Sequence, residues 1–147
     1  MISKAVIILF IAGAGIPVMA ALNSGLGMRL GNPIPAAFVL FMLATVITAL
    51  LVFTNPSPTQ SEISAIPAHF YLGGLFVTFY VLAMTWLAPK LGLGNAIFIV
   101  LFGQLVAAAA IDQFGLLDMP KAPITLKRLV GIGFFVLGIY LARKPMA

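Results

Sequence analysis

Five long apolar segments take up almost the whole chain, at about residues 5–22, 35–53, 70–87, 91–114 and 126–142. A bilayer span needs roughly 20 mostly apolar residues, with about 17 tolerated. The first four segments meet that length. The fifth meets it only if Lys127 and Arg128 snorkel along its first turn. Hydrophobic residues make up 63% of the 147 and charged residues 7%, against about 25% charged in an average soluble domain. No water-soluble core of this size hides so much apolar surface, so the bilayer must take it up. The expected fold is an all-α integral membrane protein, one domain of five transmembrane helices, with the lipid bilayer as its first partner.

The connections agree with that division. Gly31-Asn32-Pro33 breaks the chain after segment one, and Thr54-Asn55-Pro56-Ser57-Pro58 ends segment two and opens the longest loop. Pro89 is expected to stop segment three, and Met119-Pro120-Lys121-Ala122-Pro123 separates segments four and five. Proline lacks a backbone donor and glycine tolerates the left-handed region, so both punctuate helices. Segments three and four are expected to form a tight antiparallel hairpin. Lys4 and Val18-Met19-Ala20 loosely fit a cleaved leader. The apolar stretch is longer than a usual leader's and contains Pro17, so segment one reads as a span.

Composition excludes several function classes. There is no cysteine, hence no disulfide, thiolate zinc site or iron–sulfur cluster. Three acidic residues and one histidine make metal-dependent chemistry a poor fit, and no catalytic motif is present, so neither an enzyme nor a cofactor or metal site is expected. The net charge of +5 comes from Lys and Arg at the ends of apolar segments, where they meet headgroups. No basic patch interleaved with aromatics appears, and nucleic-acid binding would need one.

The basic residues are evenly shared. With five spans, the amino-terminal side carries Lys4, Lys121, Lys127 and Arg128, and the other side carries Arg29, Lys90, Arg143 and Lys144. Orientation normally follows an excess of Lys and Arg on the cytoplasmic side. Without an excess, each copy can insert either way up and opposite copies can pair as an antiparallel homodimer. The competing reading is that a local signal, Arg143-Lys144 at the tail, fixes one orientation.

Polar groups at depth are few. Gln104 lies near the middle of segment four and offers both donor and acceptor to a substrate; an interhelical hydrogen bond explains it equally well. Asp112 is the one acidic residue within an expected span. An intramembrane carboxylate can bind a cation or carry a proton. Its depth favours an interfacial ion pair instead, with Lys121, Lys127, Arg128 or His69. Asn23 is expected at the end of segment one, capping it or facing a cavity. Pro17 is expected to kink that helix and free a carbonyl near Gly13. Tyr80 and Trp86 read as an interfacial belt. Gly131 and Gly138 share a face of segment five, two turns apart, which suits a dimer contact.

Several of these marks fall in a familiar order: Pro17 with Ala20-Ala21-Leu22-Asn23, Gly31 with Pro33, Gly73-Gly74, Ala88-Pro89-Lys90-Leu91-Gly92, Gly103-Gln104, Asp112 with Phe114-Gly115-Leu116, and Gly131. Over nearly its whole length the chain resembles the YdcZ-type branch of the drug/metabolite transporter superfamily. The resemblance implies a half-transporter of about five spans in a bacterial-type inner membrane, acting as a homodimer, beside a paired homologous subunit, or fused into ten spans. It carries Asn23, Gln104 and Asp112 over as substrate-binding or gating candidates. Met19 stands where the family often has Gln, and Gln113 where it often has His.

The function expected is a small secondary transporter of a neutral or anionic metabolite or drug-like solute, working as a dimer. A deep acidic residue in segment one, as small multidrug exporters have, is absent, which argues against organic-cation export. A dual-topology ion channel and a non-transporting subunit of a larger complex are the alternatives.

Overall fold

The structure, a computed structural model, describes residues 2–142. Arg143 and Lys144, counted above with the far side, lie outside the described residues. Helices and connections make up all of the described chain, because a backbone in hydrocarbon must satisfy its own hydrogen bonds. The chain divides into two compact units, Met1–Lys90 and Leu91–Ala147.

The first unit holds α1 (Ile2–Leu30), α2 (Pro33–Val52), a short α3 (Gln60–Ala65) and all but the last residue of α4 (Gly73–Leu91). At 29 residues, α1 is about 44 Å long, well over the roughly 30 Å of hydrocarbon. The helix thus runs eight residues past Leu22, where the apolar segment was expected to end. Hydropathy falls at Asn23-Ser24-Gly25 because these side chains are small and polar, but helical hydrogen bonding continues through them. What ends α1 is Gly31, at φ +67. Asn32 N donates to Gly27 O at 3.1 Å and Gly31 N donates to Met28 O at 3.3 Å, the paired bonds of a Schellman stop. Asn32 then caps α2, its side-chain oxygen accepting from Ile34 N at 2.9 Å, with Pro33 at the first helical position.

Two prolines lie inside helices. Pro17 does not interrupt α1, although it has no N–H to give the Gly13 carbonyl. Pro89 does not stop α4, which runs on to Leu91. The stop is Gly92, at φ +82, the single residue between α4 and α5. At its other end α4 starts at Gly73, after a 3-10 turn at Ala68–Leu72 that covers the expected start of segment three. The long loop also contains α3, closed by a capping box between Thr59 and Glu62. The Thr59 backbone N–H, and then its hydroxyl, hold the Glu62 carboxyl below its usual value. That cap is present at neutral pH and is lost as the pH falls through the lowered value.

Packing in this unit uses small residues. Ala20, Ala36, Ala37 and Ala88 are buried along with Val81 and Met84, whereas large side chains such as Phe10, Phe38 and Phe76 are exposed. Small residues at contacts and large ones outside are the pattern of helices that pack in lipid.

The second unit holds α5 (Leu93–Phe114), a 3-10 turn at Leu116–Asp118 and α6 (Leu126–Ala142). Gly115, at φ +64, ends α5. A Cβ there would come within 3.3 Å of the Lys121 Cβ, so the returning loop needs the glycine for space as well as for conformation. Ala122 N donates to Asp112 O at 2.8 Å, and Ile124 N donates to the Gln113 side-chain oxygen at 2.6 Å. These bonds fix the loop that starts α6. Among the described residues four helical stretches are long and apolar enough to cross a bilayer: Lys4–Leu30, Pro33–Val52, Ala68–Leu91 and Leu93–Phe114. The 17 residues of α6 span about 25 Å, the marginal length expected of the fifth segment.

Candidate functional site

Asn23, Ser24 and Thr85 are the buried polar side chains among the described residues, and all three are in the first unit. They meet where α1 passes α4. Asn23 Nδ2 donates to Thr85 Oγ1 at 2.5 Å, and Thr85 Oγ1 donates to Val81 O at 2.7 Å. Ser24 Oγ reaches toward Met84 O at a long 3.4 Å. The threonine hydroxyl thus accepts from one helix and donates within its own, the economy that lets a polar side chain sit in an apolar interior. The correction to Asn23 follows: it is not a helix-end cap but an interhelical side chain, seven residues before the end of α1 at Leu30.

The cluster is not sealed. No buried side-chain nitrogen or oxygen among the described residues lacks a hydrogen bond. Asn23 Oδ1 accepts no hydrogen bond from the described residues. Thr85 also lines a cavity of about 210 Å³, with Gly27, Asn32, Trp86, Pro89 and Lys90 among its other walls. The cavity lies at the turn from α1 to α2 and the last turns of α4. Pro89 has no N–H for the Thr85 carbonyl, so the ladder is broken beside the cavity wall. At the rim, the Lys90 ammonium stands 4.0 Å from the centre of the Trp86 ring, a cation–π contact typical of an interfacial belt. The acidic residues Glu62, Asp112 and Asp118 do not line the cavity, and Lys90 is the charged residue in its walls.

Asp112 and Gln104 belong to the second unit. Arg128 Nη2 donates to Asp112 Oδ2 at 2.7 Å, with both side chains about one-third exposed. Of the four partners considered for Asp112, the structure selects Arg128. Gln113, whose departure from the usual histidine suggested an altered polar site, instead holds the backbone of the loop. Gln104 is exposed and lines a groove of about 570 Å³ between α5 and α6, with Leu101, Leu105, Arg128, Gly131, Ile132 and Phe135. Gly131 and Gly138 have open space where a Cβ would point. Among the described residues no group of three His, Asp or Glu side chains is placed to hold a metal.

Ser24 and Thr85 were not singled out from sequence. A serine beside Asn23 was a weak signal, and a threonine within a span usually spends its hydroxyl on its own helix. Only the pairing across 62 residues gives Thr85 a role.

No curated protein and no solved structure matches the chain. Residues 4–141 match the family described as "Putative inner membrane exporter, YdcZ", and the chain belongs to that family of inner-membrane proteins.

Proposed function

We propose that this chain is one half of a small secondary exporter of the drug/metabolite transporter type, that two copies pair antiparallel, and that the Asn23–Thr85 cluster is the polar floor of its solute path. The observation that carries the reading is Thr85, which is buried, bonded to Asn23 and at the same time part of a cavity wall. Polar groups at membrane depth are costly unless paired or lining a solute path, and Thr85 does both. The solute is small, neutral or anionic, and able to hydrogen-bond. Asn23 takes the role of its binding residue. Asp112 serves as the tie of α5 to α6 rather than a proton carrier. Gly131 and Gly138 are contacts for the second copy.

Export is tested with variants that keep shape. Asn23→Leu and Thr85→Val should each cut efflux at least tenfold in cells challenged with a panel of neutral and anionic metabolite analogues, with membrane levels of protein unchanged. Full efflux from Thr85→Val would remove the cluster from the path.

Orientation is tested separately, since the chain has no cysteine of its own. Ser3→Cys and Met146→Cys are labelled in intact cells with an impermeant reagent. Partial labelling at each terminus is expected, and Lys4→Gln and Lys90→Gln should shift the fraction in opposite senses, because each unbalances the four-to-four charge count. Complete labelling at one terminus and none at the other would mean a single orientation.

A further inference from the structure

Gln104 lies at the centre of α5, with eleven residues from Leu93 before it and ten to Phe114 after it. Its side chain is exposed and makes no hydrogen bond to any described residue. Its neighbours in the α5–α6 groove are Gly131 and the apolar Leu101, Leu105, Ile132 and Phe135, while Arg128, at the same groove, is paired with Asp112. The middle of a bilayer offers an amide neither donor nor acceptor, so something polar must cover it.

An amide is its own complement. Its N–H gives and its carbonyl takes, so two glutamines related by a two-fold axis can exchange a pair of hydrogen bonds. We infer that a second copy of this chain covers the groove, and that the two Gln104 side chains hydrogen-bond to each other across the axis of an antiparallel homodimer. The inference rests on the dimer reading given above and adds the residue at its centre. Depth singles out Gln104. A two-fold axis in the membrane plane exchanges the two halves of the bilayer, so residues at the midplane are the ones that meet their own copies. Space is available as well. A Cβ on Gly131, in the α6 wall of the groove, would meet nothing within 4 Å, so a neighbouring helix can approach closely there. The groove is larger than one side chain needs, as befits a slot for a row of side chains from a partner helix.

Cysteine crosslinking in native membranes tests this, because every introduced thiol is unique in the chain. Val100 and Ala108 lie one turn to either side of Gln104, about 12 Å apart along the helix. In the antiparallel pair, Val100 of one copy is level with Ala108 of the other. Oxidation of Gln104→Cys should give dimer. A short thiol crosslinker should join Val100→Cys to Ala108→Cys when the two variants are coexpressed, and should join neither to itself. Adding Gln104→Leu to both should lower that yield several-fold. Self-crosslinking of each single variant without the mixed product would mean parallel copies, and the inference falls. Loss of both the Gln104→Cys and mixed products, while an amine-directed reagent still yields dimer, would leave the dimer standing and give the groove to lipid or solute. Monomer alone with every reagent would overturn the dimer reading and the inference together.

Discussion

Gly27→Ala should destabilise the first unit by about 1–3 kcal/mol, more than its single added carbon suggests. The new Cβ would sit 2.8 Å from the Thr85 Cγ2 methyl, a separation real Cβ atoms essentially never show. Thr85 cannot simply rotate away. Its hydroxyl accepts from Asn23 and donates to Val81 O, so turning the side chain breaks both bonds in an apolar interior. Nor can α1 slide to the other side, where the Pro33 Cα and Ala36 Cβ stand 3.5 and 3.7 Å from the same point. The remedy is specific. Thr85→Ser removes the obstructing methyl and keeps the hydroxyl, so it should restore most of what Gly27→Ala loses while costing little alone. Stability measured by SDS titration in mixed micelles, as a double-mutant cycle, would show a large favourable coupling. Simple additivity of the two substitutions would mean that the contact of Gly27 with Thr85 is not what sets the packing here.

The same contact shows what a sequence can disclose in a chain like this. The four long apolar helices were legible because hydrocarbon imposes one requirement, a run of about 20 apolar residues, and a run is a local property. Helix ends were less legible. Asn23-Ser24-Gly25 lowers hydropathy as a loop would, yet these residues stay helical, and the Asn23 and Ser24 side chains meet α4. Pro89 carries the usual signal for a stop, but the helix runs two residues further, to Leu91, and stops where Gly92 takes a positive φ. Asn23, Gln104 and Asp112 could each be named from sequence because polar residues are rare in apolar segments. Their partners could not. The bond from Asn23 to Thr85 spans 62 residues and the pair of Asp112 with Arg128 spans 16. Neither spacing is a periodicity, so each partner is fixed by packing rather than by pattern.

Removing the Asp112 carboxylate should be worse than removing the whole ion pair. Asp112 accepts from Arg128 at 2.7 Å, and that bond joins the last turns of α5 to the first turn of α6. In Asp112→Ala the guanidinium is left unpaired in the first turn of α6, the shortest of the long helices, where it must snorkel or draw the helix end toward water. The side chains are about one-third exposed, so the cost is held below that of a fully buried pair; about 1–3 kcal/mol is expected. Arg128→Gln should cost less, because the new amide can still donate to the Asp112 carboxylate, whereas Asp112→Ala leaves the guanidinium without its acceptor. The double variant Asp112→Asn with Arg128→Gln leaves no charge to satisfy and keeps two amides able to hydrogen-bond, so it should be more stable than Asp112→Ala. The backbone bonds from Ala122 to Asp112 and from Ile124 to Gln113 remain in all three variants, so the loop stays anchored and the comparison isolates the charge. SDS titration of the three proteins, with accessibility of Met146→Cys as a check on α6 insertion, gives the order directly. If the double variant proved the least stable of the three, the pair would be contributing net attraction beyond relief of an orphaned charge, and α6 would depend on it to cross the membrane.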